Sequence, residues 1–179
     1  REVWLEATAE SRLTDLFVYT PTLQEAVVQW TAELTPAAAA VRIRLENADG
    51  ALLAEQTAPV AETGKMQLSV PEAQPWDTEH PVLHHAIAEL LNAAGQPIDR
   101  KQVTFGFRTA EFRADGFYLN GKKTFLRGLN RHQSYPYIGY AAPESLQRED
   151  ARILQEELHC TAVRTSHYPN DPYFLSLCD

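Results

Sequence analysis

Val41-Arg-Ile-Arg-Leu45 and Met66-Gln-Leu-Ser-Val70 alternate apolar and polar residues with period two, the mark of a half-buried strand. Leu16-Phe-Val-Tyr19 and Ala26-Val-Val-Gln-Trp30 are apolar runs of strand length, and Val3-Trp-Leu5 opens the series. Asp49-Gly50 turns the chain toward Leu52-Leu53, the strongest short-range hairpin signal present. Pro71, Pro75 and Pro81 exclude a helix across their span. Leu83 to Leu91 has helix-favouring residues, yet Ala93-Ala-Gly95 and Pro97 close it like a hairpin, so it is read as a strand. Six or seven short strands in about 95 residues predict an immunoglobulin-type sandwich, one lacking the Cys...Trp...Cys core.

The pattern changes after residue 108. Two short apolar runs, Thr124-Phe-Leu126 and Thr161-Ala-Val163, flank a charged helical segment, Pro143 to Leu158, whose apolar stripe is Leu146, Ile153, Leu154 and Leu158. Strand, crossover helix and strand make a βαβ unit with parallel strands. The fold expected is therefore an all-β immunoglobulin-like sandwich followed by an α/β segment, the first two βα units of a (β/α)8 barrel. Asp150 fills a slot in the helix's apolar stripe and needs a cation. Strand alternation offers Arg131 or Arg127. A second helix starts at Pro172, capped by Asn170 or Asp171.

Composition narrows the partners. Hydrophobic residues at 44% fit a globular chain, and 24 acidic against 16 basic residues give a net charge of -8 with no basic stripe for nucleic acid or an anionic membrane. No run approaches the roughly 18 apolar residues of a membrane span, and the start lacks a signal-peptide layout. Cys160 and Cys178 read as buried free thiols, too few for a disulfide framework or metal site. His80, His84 and His85 lack the paired spacing of metal ligands and read as solvated or sandwich-face residues. Glu144, Glu149, Glu156 and Glu157 read as a wet helix face.

Candidate chemistry gathers in Arg127-Gly-Leu-Asn-Arg-His132 and Arg164-Thr-Ser-His-Tyr-Pro169, each at a strand's C-terminal end, where barrel enzymes place their working residues. These segments, with Phe117-Tyr-Leu-Asn-Gly121 and Leu177-Cys-Asp179, resemble family 2 of the glycoside hydrolases. The Asn130-Arg131-His132 form resembles its β-galactosidases more than its β-glucuronidases or β-mannosidases. Gln133 departs from the resemblance, since many of those β-galactosidases have Glu there. Trp76 ahead of Pro81 resembles a segment of the family's sandwich domain.

The resemblance implies three parts: residues 1–10 as the exit strand of an earlier sandwich domain, 11–108 as the immunoglobulin-like sandwich, and 109–179 as the start of the catalytic barrel. It implies a retaining β-galactosidase whose nucleophile and acid/base Glu both lie beyond Asp179, so that the chain alone is inactive. Arg164 is expected beside the nucleophile, and His132 and His167 on the sugar. Asn130, Gln133 and Tyr168 line the same pocket or serve packing and loop roles. Without the resemblance each lone histidine reads as structural. The same source implies a β-galactoside as substrate, a homo-oligomer, a cytoplasmic setting, no cofactor within this stretch, and room for a divalent cation in the longer enzyme. The competing readings are a non-catalytic sandwich module that binds carbohydrate or protein, and a fragment of a family 2 β-glucuronidase or β-mannosidase. Arg164 and His167 are three apart and cannot both point inward on a regular strand, so the strand is expected to end near Thr165, with Ser166 to Pro169 as a loop.

Overall fold

The computed structural model describes Val3 and residues 5–179. The chain divides into two compact units, one built mainly on residues 5–111 and the other mainly on 123–179.

The first unit contains seven strands: β1 (Arg12–Thr22), β2 (Glu25–Glu33), β3 (Ala40–Asn47), β4 (Leu52–Pro59), β5 (Thr63–Ser69), β6 (His84–Leu91) and β7 (Pro97–Phe105). They form one sheet in the order β1-β2-β5 and a second in the order β4-β3-β6-β7. Between the sheets lies a core that includes Val28, Trp30, Ile43, Leu45, Leu90 and Phe107. The alternating positions of β3 explain its placement, since Val41, Ile43 and Leu45 are buried while the intervening arginines are not. Arg42 reaches across to the buried Glu89 of β6 at 2.7 Å, which satisfies the one carboxylate that this central strand buries.

Two hairpins share one turn chemistry. The Asn47 side chain accepts from the Asp49 and Ala51 amides, and Asn92 accepts from those of Ala94 and Gln96. In each loop a glycine, Gly50 or Gly95, holds the left-handed conformation that a side chain would strain.

The opening strand expected at Val3 to Leu5 is corrected. Arg1, Glu2 and Trp4 lie outside the described residues, while Val3 and Leu5 are fully exposed, pair with no strand, and precede the first ladder at Arg12.

Three short strands follow the sandwich, β8 (Ala110–Arg113), β9 (Gly116–Leu119) and β10 (Lys122–Lys123), in the order β10-β9-β8. The second unit then holds β11 (Gly128–Asn130), α1 (Glu144–Arg152), β12 (Ala162–Arg164) and α2 (Pro172–Cys178). β11 and β12 pair in parallel, with Gly128 opposite Ala162 and Asn130 opposite Arg164. This is the expected strand, helix, strand order, and the fold is the sandwich followed by the start of a barrel.

Three positions shift within that unit. The first strand forms at 128–130 instead of 124–126, because the backbones close only where Gly128 lets them: a Cβ there would lie 2.2 Å from the Ala162 carbonyl oxygen. α1 runs on into a π-helical turn over Ile153–Glu157, and the extra residue in that turn rotates Leu158 off the buried face, leaving it 52% exposed. Both cysteines are free as expected, but Cys178 is exposed on α2 and Cys160 only half-buried.

Candidate functional site

The ends of β11 and β12 gather the site. Beyond Asn130 the Arg131 amide still donates to the Arg164 carbonyl at 2.8 Å, so the two chains stay side by side for one more residue. Regular pairing then stops. Ser166 donates its amide back to Arg164, Tyr168 to Thr165, and His167 sits at φ 65, in the left-handed region where a side-chain residue is uncommon. This is the irregular loop predicted after Thr165. It carries His167 toward His132, with ring centroids 5.6 Å apart in an edge-to-face arrangement. Tyr168 lies 6.1 Å from His132, and Tyr140 meets Tyr168 at 5.7 Å, also edge to face.

Residues 131 and 133, on either side of His132, are anchored by buried bonds. The Arg131 guanidinium is 5% exposed and lies 3.7 Å over the Phe174 ring. Its nitrogens donate to Asp150 at 2.9 Å, to Gln147 at 2.6 Å and to Asn170. One planar fork thus ties the end of β11 to α1 and to the loop before α2. The partner required by Asp150 is therefore Arg131. Beside this pair, burial first and the Asp150 carboxylate second push the Tyr135 hydroxyl up to about 12, so it remains protonated. Gln133 is also buried; its amide donates to the Tyr168 hydroxyl at 2.7 Å and its side-chain oxygen accepts from the Asp171 amide at 2.7 Å. Asp171 in turn caps α2 by accepting from the Tyr173 amide.

The candidate residues therefore fall into two groups. His132, His167 and Tyr168 form one aromatic cluster. Asn130 and Arg164, exposed and opposite each other in register, line an open depression of about 310 Å³ with Leu126, Gly128, Leu129, Ala162 and Val163. Gln133 does not line the open depression; its side-chain oxygen is bound to the Asp171 amide inside the fold, and its main-chain amide joins it to Tyr168 of the aromatic cluster. Sequence patterns missed Gln147, Asn170 and Phe174 as partners of Arg131. The usable signal was Gln147 itself, a polar residue one turn ahead of Asp150 on the same helix face.

Away from the site, His84 is buried between Phe105 and Phe107, with centroids 5.8 and 4.9 Å away, and burial lowers its pKa, with a smaller contribution from His85. His80 is exposed and close to Asp77. Among the described residues no three His, Cys, Asp or Glu side chains converge to hold a metal ion. No helix among those residues is long and apolar enough to cross a membrane.

The sandwich is thus followed by two parallel strands whose tips carry Asn130-Arg131-His132 and, from Arg164 to His167, an Arg-x-x-His sequence. The chain belongs to family 2 of the glycosyl hydrolases: the family's own pattern matches residues 11–108, and that of its TIM barrel domain matches residues 110–179. A β-galactosidase of Thermoanaerobacterium thermosulfurigenes is 53% identical over 105 residues, 58% of this chain and 14% of that protein. A β-galactosidase of Thermoanaerobacter pseudethanolicus is 36% identical over 188 residues, covering 100% of this chain and 25% of its own length. Among solved structures, a Bifidobacterium dentium β-glucuronidase in complex with coumarin-3-O-glucuronide superposes with a TM-score of 0.86 at 26% identity, over 96% of this chain and 30% of that one. The chain thus spans a quarter or less of the length of these two β-galactosidases.

Proposed function

We propose that this chain is part of a retaining β-galactosidase acting on terminal β-galactosides, and that it supplies the sugar-holding side of the active site. The observation that carries this reading is the meeting of His132 and His167 at 5.6 Å, just past the C-terminal ends of two parallel strands. Two adjacent imidazoles offer donors and acceptors for neighbouring hydroxyls of a pyranose, bonds that strengthen as charge develops in the transition state. Arg164, a permanent cation at the last paired position of β12, is suited to orient a nucleophilic carboxylate and keep it ionised.

Retention needs two carboxyl groups about 5 to 5.5 Å apart across the scissile bond. The two aspartates tied to these strand ends already have partners for their carboxylates, Asp150 in the Arg131 guanidinium and Asp171 in the Tyr173 amide. The purified 179-residue chain is accordingly expected to leave a nitrophenyl β-galactoside intact.

Galactoside specificity is supported by the two relatives that are β-galactosidases; the likeness to a solved β-glucuronidase favours a second reading, cleavage of β-glucuronides. Assaying a longer protein that contains this chain on nitrophenyl galactoside and glucuronide in parallel separates them. Preference for the galactoside is expected. Preference for the glucuronide installs the second reading, and hydrolysis of neither removes both.

A further inference from the structure

His132 and His167 lie on loops past the strand ends, and both are exposed. No ladder bond fixes either ring. Each, however, is flanked by residues that are bound across the gap. Before His132, Arg131 donates to Asn170; after it, Gln133 donates its amide to the Tyr168 hydroxyl and accepts the Asp171 amide on its side-chain oxygen. Tyr168 follows His167 directly, Asn170 lies three residues after it, and Asp171 caps α2. Three bonds therefore close a clasp between 131–133 and 168–171, with one histidine on each side of it.

The clasp is dry where it matters. Arg131, Gln133 and Asn170 are each less than one tenth exposed, so water competes poorly for their bonds. It also determines the tension in the second loop, since His167 adopts a left-handed backbone that persists only where its surroundings hold it. Gln133 is central because it alone contributes both a main-chain and a side-chain bond to the opposite loop.

We propose that Gln133 is a positioning residue: through Tyr168 and Asp171 it fixes the His132 ring against the His167 ring. The importance of that pair for sugar binding rests on the function proposed above, but the geometry itself does not. Gln133 thus acts on substrate only through the two histidines. A carboxylate at this position would keep the acceptor for the Asp171 amide and place negative charge at the start of α2, where a helix favours it. An isosteric thioether would not keep the acceptor.

The test is nuclear Overhauser contact between the ring protons of His132 and His167 in the full 179-residue chain, with the amide spectrum of the sandwich as a control for folding. The unaltered chain is expected to show the contact, Gln133→Glu to retain it, and Gln133→Met to lose it while the sandwich spectrum stays in place. Tyr168→Phe, which removes only the hydroxyl that accepts from the Gln133 amide, provides a second route should Gln133→Met disorder the loops, and is expected to lose the contact as well. Retention of the contact in both Gln133→Met and Tyr168→Phe, its loss in Gln133→Glu, or its absence from the unaltered chain would each overturn the proposal. No sugar enters this measurement, so a failure of the galactosidase reading leaves the result standing, and the reverse holds too.

Discussion

At Arg131 one buried side chain ties together the end of β11, α1 and the loop before α2. Its guanidinium is bound on three sides and stacked on Phe174, and removal strands the Asp150 carboxylate in a half-buried site. Breaking one side of a buried pair costs roughly 3–5 kcal/mol, more than the pair itself contributes. Arg131→Met is expected to abolish hydrogen-exchange protection in β11 and α1 while the sandwich keeps its own; unchanged protection would show the network to be dispensable. Arg131→Lys keeps the charge but not the fork and is expected to fall between. The Arg131–Asp150 pair was half legible, because a carboxylate in an apolar stripe demands a cation and strand alternation narrowed the donor to Arg131 or Arg127. Asn170 and Phe174 were not, because nothing in a one-dimensional pattern announces which loop a buried fork will reach. His84 gives a second prediction. Its folded-state pKa lies below the ordinary 6.5 because burial disfavours the imidazolium. The unfolded chain therefore binds the proton first as pH falls. The contribution is fully present above 6.5 and is lost below it, through the lowered folded value, at no more than about 1.4 kcal/mol per pH unit. The urea midpoint of the sandwich is expected to drop between pH 7 and 5, and His84→Phe is expected to flatten that drop. Equal slopes in the two proteins would assign the titration elsewhere.

Among the elements, close backbone approach and turn chemistry decide more than apolar pattern. Adding a methyl group at Gly128 puts it 2.2 Å from a carbonyl oxygen of β12, and overpacking of that kind costs about 1–3 kcal/mol. Gly128→Ala is expected to loosen the parallel pair, seen as faster exchange of the Arg131 amide that bonds Arg164; an unchanged rate would mean that the strands give way without cost. β3 and β5 were legible because one face of each is buried and the other wet, which preserves period two. β6 was ambiguous because nearly every residue from His84 to Leu91 is buried, so alternation vanishes and composition points to helix. The Asp49-Gly50 turn was visible as a dipeptide. The fuller rule, an asparagine side chain accepting from the amides on either side of the loop glycine, emerges only when Asn47 and Asn92 are seen making the same bonds. The shift of β11 to 128–130 escaped detection because apolarity pointed to Thr124–Leu126, whereas the pairing depends on the absence of a side chain at 128. The π turn after α1 has no pattern of its own, and with it went the burial of Leu158.

At the scale of the whole molecule, the second unit is left with apolar surface that its own residues do not cover. Parallel strands are normally covered on both faces, because each face is apolar and hydrogen bonding alone does not offset its exposure. Here Leu126 is 44% exposed and Leu129 50%, both lining the open depression beside β11 and β12, and Phe125 is exposed next to them. Burial of such area is worth about 25 cal/mol per Å², so even a few hundred Å² favours association once the chain is concentrated. The 179-residue chain is therefore expected to bind a hydrophobic dye and to associate with itself as its concentration rises. Light scattering across a hundredfold range of concentration checks this, together with the variant Leu126→Gln, Leu129→Gln, which removes apolar area without touching Arg131 or Gln133. Reduced association in the variant with unchanged sandwich stability is the expected outcome. A chain that stays monomeric throughout and leaves the dye dark would show that this face is covered in solution by the chain itself.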